Sequence, residues 1–101
     1  MRLGKVIGRV TLSVAVPALE GGRWLLVSPF SRENYPHGSA IPEGLSKEPT
    51  LVSYDCLGAA VGQGVGFVEG REAACPLDPP APIDAITAIL VDEVFYNPLS
   101  A

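Results

Sequence analysis

Lys5-Val6-Ile7-Gly8-Arg9-Val10-Thr11-Leu12-Ser13-Val14 is the stretch that decides the class of fold. Lys5, Ile7, Arg9, Thr11 and Ser13 form one alternating set, and Val6, Gly8, Val10, Leu12 and Val14 the other. A period of two is that of a strand with one buried face, and only Ile7 and Gly8 stand against it. Downstream, Glu20-Gly21-Gly22 has turn chemistry, and Trp24-Leu25-Leu26-Val27 is a short apolar run stopped by Pro29. The two runs are therefore expected to pair as a hairpin. Residues 50–55 and 65–69 read as further strands, joined by the glycine-rich Leu57-Gly58-Ala59-Ala60-Val61-Gly62-Gln63-Gly64. Residues 71–75 suit one helical turn, ended by Pro76, Pro79, Pro80 and Pro82. In 83–94, Ile83, Ile86, Leu90 and Val94 fit a helical stripe, but the enrichment in Ile, Thr and Val favours a strand. Residues 30–49, with Pro36, Gly38, Pro42, Gly44 and Pro49, have loop composition. Five short strands and one helical turn predict an all-β chain closed as a small barrel, which leaves no open strand edge.

Composition agrees. The 101 residues suit one domain spanning 1–101, and folding at this size buries about 64% of the unfolded chain's surface. Ten prolines and eleven glycines exclude a helical bundle. Hydrophobic residues make up 48% of the chain and charged ones only 18%, which leaves apolar surface for a partner. The net charge of -4 is the wrong sign for a protein that condenses on nucleic acid or anionic lipid, so neither is expected as a partner. No apolar run reaches the ~20 residues needed to cross a bilayer. A basic start followed by Val10 to Leu19 imitates a secretion signal, but Thr11, Ser13 and Pro17 interrupt it and no cleavage site follows. Cys56 and Cys75 are accordingly expected to be reduced, partly buried thiols.

Catalytic patterns are missing. His37, the sole histidine, sits in the turn Asn34-Tyr35-Pro36-His37-Gly38 with no acid or cysteine at ligand spacing. Gly62-Gln63-Gly64-Val65-Gly66 lacks the last glycine of a dinucleotide fingerprint, and Gly4-Lys5-Val6 lacks the hydroxyl residue of a phosphate loop. No serine lies in a G-x-S-x-G elbow. Asp92 and Glu93 are adjacent, which on a strand sends their carboxylates to opposite faces. The aromatics Trp24, Phe30, Tyr35, Tyr54, Phe67, Phe95 and Tyr96 do not interleave with basic residues as a stacking platform requires. They are expected in core or interface. No catalytic residue, cofactor site or metal site is assigned. By elimination, assembly is favoured over catalysis.

Four segments, in order, resemble the EutN/CcmL family of microcompartment shell vertex proteins, also called BMC-P. Gly4-Lys5-Val6-Ile7-Gly8 is similar to the family's opening G-K-V-x-G, and Leu19-Glu20-Gly21 with Leu25-Leu26-Val27 to its hairpin. Asp55-Cys56-Leu57-Gly58-Ala59-Ala60-Val61-Gly62 is similar to D-x-V-G-A-G-x-G. Pro82-Ile83-Asp84-Ala85 leading to Ile89-Leu90-Val91-Asp92 is similar to the closing strand. Ala60 stands where the family usually has glycine and Gln63 where it often has an acid.

The resemblance implies a five-stranded OB-like barrel that forms homopentamers. It further implies that these sit at the vertices of a bacterial microcompartment in the cytoplasm, with hexagonal shell proteins as the other partners and no reaction catalysed. A free-standing OB-like domain that binds a ligand or oligonucleotide is the rival reading. A small enzyme using His37 or a cysteine ranks last, for want of a second catalytic group. In Gly58-Ala59-Ala60-Val61-Gly62 four of five side chains are no larger than a methyl. Gly58, Ala59, Ala60 and Gly62 are therefore expected at a close backbone contact, either inside the barrel or between subunits.

Overall fold

The structure, a computed structural model, describes residues 1–13, 15–31, 45–77 and 81–94. Five strands, β1 (Arg2–Val10), β2 (Arg23–Pro29), β3 (Leu51–Asp55), β4 (Gly64–Glu69) and β5 (Ala85–Val91), close into a barrel in the order β1-β2-β3-β5-β4. Four of the five ladders are antiparallel. The exception is the parallel seam of β3 with β5, where Tyr54 pairs with Ile86. Beside this short ladder the buried hydroxyls of Ser53 and Thr87 lie 3.2 Å apart and share a hydrogen bond. All five expected strands and the hairpin of the first two are present.

The boundaries of β1 differ from the alternation of residues 5–14. At its start, Arg2–Lys5 pair with Phe67–Gly64 of β4, a partner roughly sixty residues away that leaves no local signal. At its end, Val10 opposite Trp24 is the last rung, and the exposed Thr11, Leu12 and Ser13 leave the sheet. The mismatch at Ile7 and Gly8 is a β-bulge. Val6 faces Val27 and Gly8 faces Leu26, so Ile7 is the extra residue. β5 is likewise shorter than 83–94 and carries its own register shift, with Gly66 opposite Ile89 and Phe67 opposite Thr87. The shift turns Ala88, Ile89 and Leu90 outward in succession. That removes Leu90 from the stripe which made a helix conceivable.

Between β1 and β2, Pro17–Leu19 form a 3-10 turn that the sequence did not announce. Proline at its first position is pre-set for that turn, and Leu19 is buried. The expected helical turn after β4 is also a 3-10 helix, Gly70–Ala74. Val6, Leu25, Val27, Ala59, Val65 and Phe67 fill the middle of the barrel. A second cluster, Leu19, Tyr54, Ala73, Ala81, Ile83 and Ile86, is built largely from the connections. Ser46 staples the end of the long loop to β2: its N–H donates to Ser28 Oγ at 3.1 Å, and its hydroxyl donates to the Pro29 carbonyl.

Cys56 and Cys75 are free, but both are exposed rather than partly buried. Asp92 and Glu93 are exposed beyond the end of β5 rather than on opposite faces of a strand. His37, Tyr35, Phe95 and Tyr96 lie outside the described residues.

Candidate functional site

The connection from β3 to β4 is organised by Asp55, the last residue of β3 and only 1% exposed. Its Oδ2 accepts the N–H groups of Gly58 at 2.8 Å and Ala59 at 3.1 Å, so the carboxylate folds the chain back over its own strand end. Gly58 takes φ +86°, and the reversal sends the Ala59 side chain into the central cluster. Gln63 completes the knuckle. Its Oε1 accepts the Ala60 N–H at 2.9 Å, and its own N–H donates to the Ala60 carbonyl at 3.0 Å. Two backbone bonds sew the knuckle to β1 beside its bulge: Gly62 N–H to the Val6 carbonyl at 2.8 Å, and Val6 N–H to the Gln63 carbonyl at 2.9 Å.

The four small residues therefore have separate causes. Gly58 and Gly62 hold φ of +86° and +94° with nothing within 4 Å of where a Cβ would stand, so conformation explains them within the subunit. Ala59 alone packs inside the barrel, while Ala60 is exposed. Leu57 and Val61, 48% and 60% exposed, flank Ala60 and make the knuckle an apolar projection. At its root Asp55 Oδ1 is buried with no hydrogen-bond partner among the described residues. An orphaned buried carboxylate oxygen is costly unless a donor reaches it, and Asp-x-x-Gly was the sequence signal that could have singled Asp55 out. Val52, Ile89 and Leu90 are further exposed apolar side chains of β3 and β5.

Among the described residues no three His, Cys, Asp or Glu side chains gather as a metal site. Burial, and secondarily the Cys56 thiol, raise the Tyr54 phenol above its ordinary value of 10.0. That phenol donates to the Leu19 carbonyl at 3.3 Å and stacks edge-on with Trp24. It is a structural hydroxyl that pins the 3-10 turn to the barrel end. No described helix is long and apolar enough to cross a membrane.

The strands thus close into a barrel that carries exposed apolar side chains on its β3–β4 knuckle. The chain belongs to the EutN/CcmL family, matching over residues 1–92 the family described as ethanolamine utilisation protein EutN/carboxysome. Among solved structures it is similar to the GrpN pentameric microcompartment shell protein from Rhodospirillum rubrum. The two are 31% identical with a TM-score of 0.72, over 97% of this chain and all of that one. It is also similar to the ethanolamine utilization protein EutN from Escherichia coli, at 25% identity and TM-score 0.75, over 95% of this chain and 89% of that one. The pentameric shell protein of the RMM microcompartment gives 25% identity and TM-score 0.72, over 98% and 100% of the two chains. No curated protein sequence matches the chain.

Proposed function

We propose that the whole chain, residues 1–101, acts as one domain that assembles into a homopentamer and fills a vertex of a bacterial microcompartment shell in the cytoplasm. The observation that carries this is the match to a pentameric microcompartment shell protein, at 31% identity over all of that chain. Flat arrays of six-sided tiles cannot close, and a five-sided unit supplies the missing curvature. The role is geometric, so the ring's partners are its own copies and the hexagonal tiles around it, and no reaction is required of it. Closed cyclic symmetry needs each subunit to present two different complementary surfaces. The knuckle with Gly58, Ala60 and Gly62 is one of them: its exposed Leu57 and Val61 bury against the neighbour. The rival reading as a free-standing binding domain is not favoured by these relatives.

Co-expression with hexagonal shell proteins, followed by electron microscopy, tests the role. Closed polyhedra that form with the chain, and open or tubular assemblies without it, are expected. Equally closed shells in its absence would contradict a vertex function.

A further inference from the structure

We propose that the apolar knuckle of one subunit docks on the outer face of β1, β2 and β3 of the next copy, against Leu26 and Val52. The contact rests on the cyclic assembly proposed above and supplies the second of the two surfaces that such a ring needs.

Strand register defines the receiving face. Leu25 and Val27 are fully buried in the central cluster, so Leu26 between them points away from the barrel interior. Gly8 of β1 and Val52 of β3 both stand opposite Leu26 and therefore share its face. Two residues along β2, Trp24 stands opposite Val10 on that same face. Val52 is 44% exposed, and Gly8, Val10, Trp24 and Leu26 are half-buried. The face is apolar and in contact with water.

The outer side of β4 and β5 is less open. Leu3, Gly66 and Ile89 share a rung there, and a Cβ at Gly66 would stand 2.4 Å from Ile89 Cγ1 and 3.0 Å from Met1 Sδ. Those two side chains therefore already lie over their own glycine. At Gly8 the three atoms nearest a Cβ all belong to Leu26, the closest at 3.1 Å, so Gly8 leaves its neighbour on the rung uncovered.

Charge matches the knuckle to this face. From Cys56 to Val68 the chain has no charged residue, and Leu57 and Val61 project from that neutral stretch. Gly8, Val10, Trp24, Leu26 and Val52 are uncharged as well. An apolar projection docks at least cost where no charge has to be stripped of water, and a second copy covers both apolar surfaces at once.

A charge swap tests the contact. Val61→Asp and Val52→Arg both alter exposed side chains, so each variant should keep the wild-type dichroism spectrum. In a dilution series read by native mass spectrometry, each should raise the concentration of half-assembly about tenfold or more. The double variant sets the aspartate of one subunit against the arginine of the next at every interface, and it should recover most of that loss. Val61→Arg with Val52→Glu, the reversed pair, should behave alike, whereas Val61→Asp with Ile89→Arg should show no recovery. A wild-type pentamer that Val52→Arg leaves equally tight, a double variant no better assembled than either single one, or recovery with Ile89→Arg would overturn the contact and leave the pentamer standing. A wild-type chain that does not assemble would overturn the pentamer and the contact together.

Discussion

Gly4→Ala adds one methyl group where three elements meet. Gly4 is buried in β1, and a Cβ there would stand 2.6 Å from Val27 Cγ1, 2.9 Å from the Ser28 carbonyl oxygen and 3.2 Å from Phe67 Cε1. Favourable contacts lie at about 3.5–4.0 Å, so the overlap with Val27 is about 1 Å. Val27 and Phe67 are fully buried in the central cluster, and the Ser28 oxygen is backbone, so no neighbour can step aside cheaply. Overpacking of this kind costs roughly 1–3 kcal/mol, offset by about 0.4–1 kcal/mol because alanine restricts the unfolded chain. A net loss of about 1–2 kcal/mol corresponds to a fall in Tm of roughly 5–15 °C for a domain of this size. Thermal unfolding followed by circular dichroism checks it, at one fixed protein concentration because assembly makes Tm concentration-dependent. Gly8→Ala is the control: its nearest contact, 3.1 Å, is the mobile tip of Leu26, and its Tm should stay within a few degrees. An unchanged or raised Tm for Gly4→Ala would refute a barrel interior packed this tightly around Val27 and Phe67.

Three further outcomes are expected. Asp55→Ala removes the acceptor of two backbone N–H groups, one on the buried Ala59, and should destabilise the subunit by about 2–4 kcal/mol in urea unfolding. Ala60→Leu enlarges an exposed side chain, so the subunit should keep its dichroism spectrum while the ring weakens on size-exclusion chromatography; an intact ring would remove the knuckle from the interface. Burial, with the Cys56 thiol second, holds the Tyr54 phenol above 10.0 in the fold, so the neutral form is the native one. The stability this gives is intact below pH about 10 and is lost as pH rises through the folded value. Urea midpoints should fall there, and less steeply in Tyr54→Phe.

How legible the molecule is depends on how local each interaction is. Alternation marks β1, a continuous apolar run between turn residues marks β2, and enrichment in Ile, Thr and Val marks β5, each a local feature of the sequence. Arg2–Gly4 escape that test, since what makes them a strand is β4, and the alternation runs on past Val10 because it cannot show where a partner ends. Ile7 and Gly8 show as a flaw in the pattern, and the flaw is real: a bulge gives two successive residues to one partner position. The small residues of the knuckle are visible as a group, but their causes are not. Composition cannot separate a glycine needed for positive φ, such as Gly58 or Gly62, from an alanine packed in a core, such as Ala59. Asp55 is legible as part of a motif, yet its two N–H partners and its orphaned oxygen require coordinates. That Arg9 stands opposite Leu25 across the hairpin likewise depends on register, which residue spacing alone does not give.

Native mass spectrometry of the full chain tests the central claim most directly. A homopentamer of the 10.6 kDa chain weighs about 53 kDa, and its summed charge of about -20 should keep the isolated ring soluble. A dominant species at that mass at micromolar concentration is predicted. A monomer or dimer as the sole species would contradict the assignment.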